Sequence, residues 1–193
     1  MPTNPDRPQR VLALRMRGAL RKKLHYVEAP QETVRYLGRI TDFKGWLNSW
    51  TIRLHRGSQR GEEIGYCTVE RHKLTMMTRV FDRGGRQLLW ADPMPFCPIS
   101  QWPPLEIKAL HGDWAIVPKV GRKQRALVLR HGGELAAEIV DQRHLPAKAF
   151  WALDLRNIIF RADVYREDLM DTVALLSLGL IWAFDDEAWS PTS

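Results

Sequence analysis

The sequence has only two cysteines in 193 residues, Cys67 and Cys97, and they do not form a CxxC pair. This excludes the disulfide-dense frameworks of small secreted proteins and the paired-cysteine spacing of zinc ribbons. The simplest interpretation is two free thiols in a reducing compartment, and one disulfide is the alternative. A chain of this length buries about 70% of its unfolded surface, so its core needs neither a disulfide nor a metal.

Long hydrophobic runs are also absent. The longest covers residues 173–184, where only Ser177 and Gly179 interrupt twelve otherwise apolar residues. A membrane-spanning helix needs about 20, and acidic residues follow the run instead of aromatic and basic interface anchors. We therefore expect burial inside the protein, with membrane insertion as the alternative. No apolar signal region follows the N-terminal charges, so we expect a cytoplasmic protein, with peripheral membrane contact as an option.

The sequence lacks the common catalytic and cofactor motifs. It contains no P-loop, GxSxG or HExxH, and its six histidines are scattered without metal-ligand spacing. Cys67 lies in a predicted strand, where a buried thiol is the common case. Glu167, Asp168 and Asp171 match the acidic start of a helix. We predict no catalytic residue, metal site or cofactor; an enzyme with a site assembled from distant residues is the alternative.

The sequence does contain a succession of short apolar runs separated by turns. The runs are rich in β-branched and aromatic residues, and paired glycines in several turns supply the positive φ that tight hairpins need. Residues 92–104 include five prolines and predict an irregular crossing. The predicted strands are 33–40, 49–55, 63–70, 75–81, 86–91, 105–110, 114–120, 125–130, 134–140, 149–155 and 158–164.

One helix is predicted after the strands, at about residues 167–185. Its apolar run has no polar face to present to water, so it must be covered on all sides. Strands recurring every ~8–12 residues indicate a sandwich or barrel. Together these features predict a mainly β fold, a closed antiparallel β-barrel of about 11–12 strands around one buried hydrophobic C-terminal helix.

Four segments carry a family resemblance: Glu62-Glu-Ile-Gly-Tyr-Cys67, Gly85-Arg-Gln-Leu-Leu89, Gly133-Glu-Leu-Ala-Ala-Glu-Ile139 and the helix from Asp168 to Asp185. With the hairpin rhythm, they resemble the tubby C-terminal-like superfamily, which includes LURP-one-related proteins and phospholipid scramblases. The resemblance covers about residues 25–187 and implies a barrel threaded by the hydrophobic helix. The tubby phosphoinositide site and the scramblase calcium-binding segment have no match here, so no functional residue is carried over.

The net charge of +7 is unevenly distributed. Residues 1–23 hold seven basic side chains and one acidic, whereas the other 170 residues hold 22 basic and 21 acidic. We predict a basic, flexible N-terminal arm at 1–24, a tubby-like barrel at 25–187 and a tail at 188–193. Within the arm, the spacing of Leu12, Met16, Ala19, Leu20 and Leu24 also allows an amphipathic helix on anionic lipid or an organellar presequence.

Two basic clusters are the candidate binding residues. Four cations lie within residues 119–125 around a predicted turn at Gly121, and two more are adjacent in the arm. On a hairpin tip, such side chains could converge on a phosphate-bearing partner; a solubilising loop is the alternative. The candidates are Lys119, Arg122, Lys123, Arg125, Lys22 and Lys23.

The leading functional hypothesis is a non-enzymatic, tubby-like or LURP-one-like domain that binds an anionic membrane lipid or a protein partner. A nucleic-acid-associated protein with a basic N-terminal tail is the first alternative. It is less favoured because the body outside the arm is close to neutral, whereas a nucleic-acid binder needs a basic face. The enzyme described above is the second alternative.

Overall fold

The computed structural model describes residues 7–17, 23–29, 31, 33–44, 49–57, 60–72, 75–93, 105–121, 124–141 and 158–180. Within these ranges the chain forms twelve strands, followed by a 3-10 turn (Glu167–Leu169) and one helix, α1 (Met170–Leu180). The strands are β1 (Arg10–Arg17), β2 (Lys23–Ala29), β3 (Thr33–Lys44), β4 (Ser49–Arg56), β5 (Glu63–His72), β6 (Thr75–Asp82), β7 (Gln87–Pro93), β8 (Leu105–Leu110), β9 (Trp114–Gly121), β10 (Gln124–His131), β11 (Glu134–Asp141) and β12 (Ile158–Val164).

The twelve strands form one antiparallel sheet that curves into a nearly closed barrel. Its order is β8-β7-β6-β5-β4-β3-β2-β1-β12-β11-β10-β9, so every pairing joins neighbours in sequence except that of β1 with β12. The two edge strands, β8 and β9, follow each other across the short turn at residues 111–113. The predicted antiparallel barrel of about 11–12 strands with one C-terminal helix is confirmed.

The barrel wall follows from the alternation of apolar and polar residues. Successive side chains of a strand point to opposite faces. In β4, Trp50, Ile52 and Leu54 are buried, whereas the residues between them are only partly covered. Ile52 lies opposite Cys67 of β5, which in turn lies opposite Val80 of β6. The inward residues of neighbouring strands therefore stack in layers and form one continuous core.

Helix α1 lies inside the barrel. Every residue from Val173 to Leu180 is buried, and the helix contacts β5, β6 and β7 on one side and β11 and β12 on the other. The predicted burial of the apolar run inside the protein is confirmed as far as Leu180; its remaining residues lie outside the described part. The helix approaches the wall closely at Gly179, where an added Cβ would lie 2.4 Å from Val80 Cγ2.

Polar contacts position α1 along the barrel axis. The Tyr26 hydroxyl donates to the Ala174 carbonyl at 2.8 Å and lies 3.0 Å from Ser177 Oγ. Near the end of the helix, the Thr78 hydroxyl donates to the Gly179 carbonyl at 2.9 Å. This bond gives the Gly179 carbonyl a partner in β6 and so fixes the position of the helix relative to the wall.

The predicted flexible N-terminal arm at 1–24 is wrong for residues 10–17, 23 and 24; residues 1–6 and 18–22 lie outside the described part. Residues 10–17 form β1, which pairs with both β2 and β12, and Leu12, Ala13 and Leu14 have no exposed surface. Residues 23 and 24 open β2. An amphipathic helix over 10–24 is excluded for the same reason. Leu12, Leu14 and Leu24 also fit the two-residue period of a strand. The strand conformation is favoured because β1 pairs with both β2 and β12, and so joins the β2–β8 part of the sheet to the β9–β12 part.

Three other predictions fall wholly or largely outside the described residues. These are the irregular crossing at 92–104, of which only 92 and 93 are described, the strand at 149–155 and the boundary between barrel and tail at 187–188. The other predicted strands correspond to β3–β12, with boundaries that agree to within a few residues. The predicted helix begins as expected, with the 3-10 turn at Glu167 leading directly into α1.

The buried tyrosines make the fold sensitive to alkaline pH. Burial raises the pKa of Tyr26 and of Tyr36 above the ordinary value, and the Asp171 carboxylate adds to the effect at Tyr36. The folded state therefore holds these protons more tightly than the unfolded chain, and the stability that results is fully present below the unfolded pKa of about 10. We expect the free energy of unfolding to fall progressively above that pH.

The measurement is urea unfolding across alkaline pH, with phenolate absorbance recorded in parallel. The Tyr26→Phe, Tyr36→Phe variant should lose stability at neutral pH, by about 1 kcal/mol for each lost hydrogen bond, and should show a shallower alkaline decline. If phenolate absorbance shows that all tyrosines have ionised while the barrel remains folded, this expectation is contradicted.

Candidate functional site

The barrel has two different ends. Because neighbouring strands are antiparallel, the β1–β2, β3–β4, β5–β6, β7–β8, β9–β10 and β11–β12 connections all join strands at one end, here called the distal end. The other connections lie at the opposite end, where α1 begins, here called the α1 end. Asp171 accepts a hydrogen bond from Tyr36 near the α1 end, whereas Gly179 meets Thr78 near the distal end. The helix therefore enters at one end and runs toward the other.

The acidic residues at the start of α1 are paired with arginines. Glu167, Asp168 and Asp171 each pair with a separate arginine, as expected for an acidic helix start rather than a paired-carboxylate site. The pairs are Arg10–Glu167 at 2.9 Å, Arg166–Asp168 at 2.7 Å and Arg56–Asp171. Hydrogen bonding to Arg166 lowers the pKa of Asp168. A cleft of about 270 Å³ beside the helix start is lined by Arg35, Arg56, Glu167, Asp168, Met170 and Asp171.

Basic residues are concentrated in three chain segments that contain strand ends of the distal end. The strands are six that are contiguous in the sheet, β2-β1-β12-β11-β10-β9, and the segments are residues 15–25, 119–126 and 139–160. We call these segments the cationic sector; its residues 18–22, 122–123 and 142–157 lie outside the described part. Its sequence holds twelve basic and two acidic residues, whereas the rest of the chain holds 17 basic and 20 acidic. Five of these basic residues and one acidic residue, Asp141, lie on described strands.

Each of the two predicted basic clusters has members on described strands of the sector. Lys23 opens β2, while Lys119 and Arg125 lie on the paired strands β9 and β10, almost a hundred residues away in sequence. Lys119 is exposed, and its Nζ lies 3.0 Å from the Glu138 carboxylate. Lys22, Arg122 and Lys123, and the side chains of Lys23 and Arg125, lie outside the described part.

Sequence reasoning missed other members of the sector. It assigned Arg15 and Arg17 to a flexible arm, but both are in β1, and Arg17 lies directly opposite Lys23. The third segment of the sector, residues 139–160, adds three basic residues to the sequence count that sequence reasoning did not single out, Arg143, Lys148 and Arg156; these lie outside the described residues. The pairing of β12 with β1 and β11 places the described ends of this segment between the other two segments.

The described residues contain no arrangement that points to nucleophilic or metal-assisted catalysis. Cys67 is fully buried in β5, and burial raises the pKa of its thiol, which disfavours the reactive thiolate. Cys97 lies outside the described residues. Within the described ranges, no group of three His, Cys, Asp or Glu side chains could hold a metal ion. The same ranges contain no helix long and apolar enough to cross a membrane.

Comparison with known proteins adds no relative. The chain matches no protein-family model, no curated protein and no solved structure.

Proposed function

We propose that this protein is a non-enzymatic barrel that binds an anionic membrane surface through the cationic sector. The observation that supports this proposal is the concentration of basic residues at the distal ends of described strands, in segments whose sequence holds twelve basic and two acidic residues. The basic residues on these strands are Arg15, Arg17, Lys23, Lys119 and Arg125. Like charges directly opposite one another destabilise a sheet, and Arg17 lies opposite Lys23 at this end. A function that uses the concentrated charge explains why the sequence tolerates that cost.

The physical basis is attraction between the sector and anionic headgroups. Each Lys or Arg near such a surface contributes about 1 kcal/mol, and the attraction decays within a Debye length. The resemblance to the tubby C-terminal-like superfamily, proposed here on sequence segments, agrees with a lipid partner. The anionic leaflet inside a cell is the cytoplasmic one, so the proposal includes a cytoplasmic location peripheral to the membrane.

The test is co-sedimentation of the full chain with vesicles of phosphatidylcholine alone or mixed with phosphatidylserine. We expect binding only to the anionic vesicles and a steep loss of binding as salt is raised. A Lys23→Gln, Lys119→Gln, Arg125→Gln variant should bind about 100-fold more weakly, since three contributions of about 1 kcal/mol are lost. Equal binding of this variant and the wild type would overturn the proposal.

The matched control removes three cations at the α1 end, in the variant Arg60→Gln, Arg83→Gln, Arg130→Gln. Because this variant and the sector variant have the same net charge, a difference in their binding reports where the charge was removed and not how much was removed. Deleting residues 1–24 is not a usable alternative, because it removes β1 from the wall.

Duplex DNA or an acidic protein that binds the sector more tightly than vesicles would assign the surface to that class of partner and exclude the lipid function.

A further inference from the structure

A row of cations crosses the outside of the wall next to the cationic sector. The strand registers place Arg17 of β1 opposite Lys23 of β2, Lys23 opposite Arg39 of β3, and Arg39 opposite Arg53 of β4. Residues directly opposite each other in an antiparallel sheet lie on the same face. We call these four residues the cross-strand row. It begins inside the sector and continues along the wall beyond it.

The row lies on the outer face. Arg39 is exposed, and Arg53 is partly exposed between the inward-facing Ile52 and Leu54. Neighbouring strands are about 4.8 Å apart, so the row spans about 14 Å. Like charges in register repel one another; the side chains of Arg17 and Lys23 lie outside the described part. At the β4 end of the row the repulsion is relieved, because Arg53 pairs with Glu63 at 3.0 Å and lies 5.5 Å from the centre of the Tyr66 ring.

Arg39 is the residue of the row whose charge is left uncompensated. It has a cation in register on either side, Lys23 and Arg53. Among the described residues, no carboxylate forms an ion pair with it. An exposed arginine in this setting offers its guanidinium donors to an external anion, and arginine is suited to two-pronged hydrogen bonding with phosphate.

We propose that the cross-strand row is a second part of the membrane contact, in which Arg39 binds phosphate groups of anionic lipids on the outer wall. This inference rests on the proposed function and adds an orientation to it. The sector includes the distal ends of strands from β9 to β2, and the row extends the contact across β3 and β4. The combined contact is therefore centred near β12 and β1, and β6 and β7, on the opposite side of the barrel, face away from the headgroups.

The first test is the Arg39→Glu variant on the phosphatidylserine vesicles used above. Reversing one charge at the surface should weaken binding about 30-fold, whereas Arg60→Glu, the same reversal at the α1 end, should leave binding near the wild-type value. Equal melting temperatures of the two variants check that the barrel is intact. Wild-type binding by Arg39→Glu overturns the inference while leaving the proposed function in place, and failure of the wild type to bind at all removes the proposed function itself.

A second test measures the orientation of the barrel on the membrane with a fluorescent label. In a Cys97→Ser background, Cys67 is buried, so a single cysteine introduced at Thr41 or at Gln87 can carry an environment-sensitive dye. Thr41 lies two residues beyond Arg39 on the same face of β3, whereas the partly exposed Gln87 opens β7 on the opposite side of the barrel. We expect vesicles to change the emission of the Thr41→Cys label and not that of the Gln87→Cys label. Equal changes at both positions, or a change at Gln87→Cys alone, would contradict this orientation.

Discussion

Replacing Leu176 by aspartate is expected to abolish the folded state. Leu176 lies in the middle of α1 with no exposed surface, and the helix has strands on opposite sides. The change removes a buried leucine, which alone costs about 2–5 kcal/mol, and adds a buried carboxylate without a partner, which costs several kcal/mol more. Their sum is comparable to the whole stability of a typical domain, about 5–15 kcal/mol.

The measurement is thermal unfolding by circular dichroism, together with the yield of folded protein. Val117→Asp provides the matched control, because Val117 of β9 is 44% exposed and its replacement leaves the new carboxylate in water. We expect the control to remain within about 0.5 kcal/mol of the wild type. A Leu176→Asp protein that folds with near wild-type stability would mean that α1 is not enclosed by the barrel.

Replacing Gly179 by leucine is the second large effect that we expect. A Cβ at this position would lie 2.4 Å from Val80 Cγ2 and 3.1 Å from Leu89 Cδ2, and both neighbours are fully buried. Val80 is β-branched and has little rotamer freedom, so the helix would have to move away from β6. That movement would also break the hydrogen bond between Thr78 and the Gly179 carbonyl. The expected loss is about 3 kcal/mol or more, at the upper limit for overpacked cores.

A compensating variant separates steric conflict from other effects. Combining Gly179→Leu with Val80→Ala removes the atom that an added Cβ would meet first, so the double variant should be more stable than Gly179→Leu alone. Gly84→Ala, in the exposed turn after β6, serves as the glycine control because its added Cβ would meet only the Asp82 side chain, at 3.3 Å. A double variant less stable than Gly179→Leu would show that the Val80 contact is not the cause.

The strands and the helix could be predicted because their signals are local. Alternation in β4, the paired glycines between β10 and β11, and the length of the apolar run in α1 can each be recognised from a few neighbouring residues. The structure confirms the barrel and the buried helix on these grounds. The N-terminal prediction failed because the arginines of residues 10–17 suggested an exposed arm. Leu12 and Leu14 nevertheless alternate in the way that a wall strand requires, and only the assembled sheet shows that they are buried.

The candidate site was predictable only in fragments. Lys22 and Lys23 stand out in the sequence, as do the four cations at 119–125, but nothing in their spacing indicates that the two clusters share an end of the barrel. Arg39 gave no sequence signal at all. It becomes notable only when the β2–β3 and β3–β4 registers place it between Lys23 and Arg53.

The sequence by itself determined that a twelve-residue apolar run must be enclosed by strands, because a helix without a polar face is stable in water only when it is covered. Tertiary structure alone decided which strands close the wall and which charges become neighbours. The pairing of Arg10 with Val164 joins residues more than 150 positions apart. Such a contact depends on the free energy of the whole assembled sheet, which no local pattern specifies.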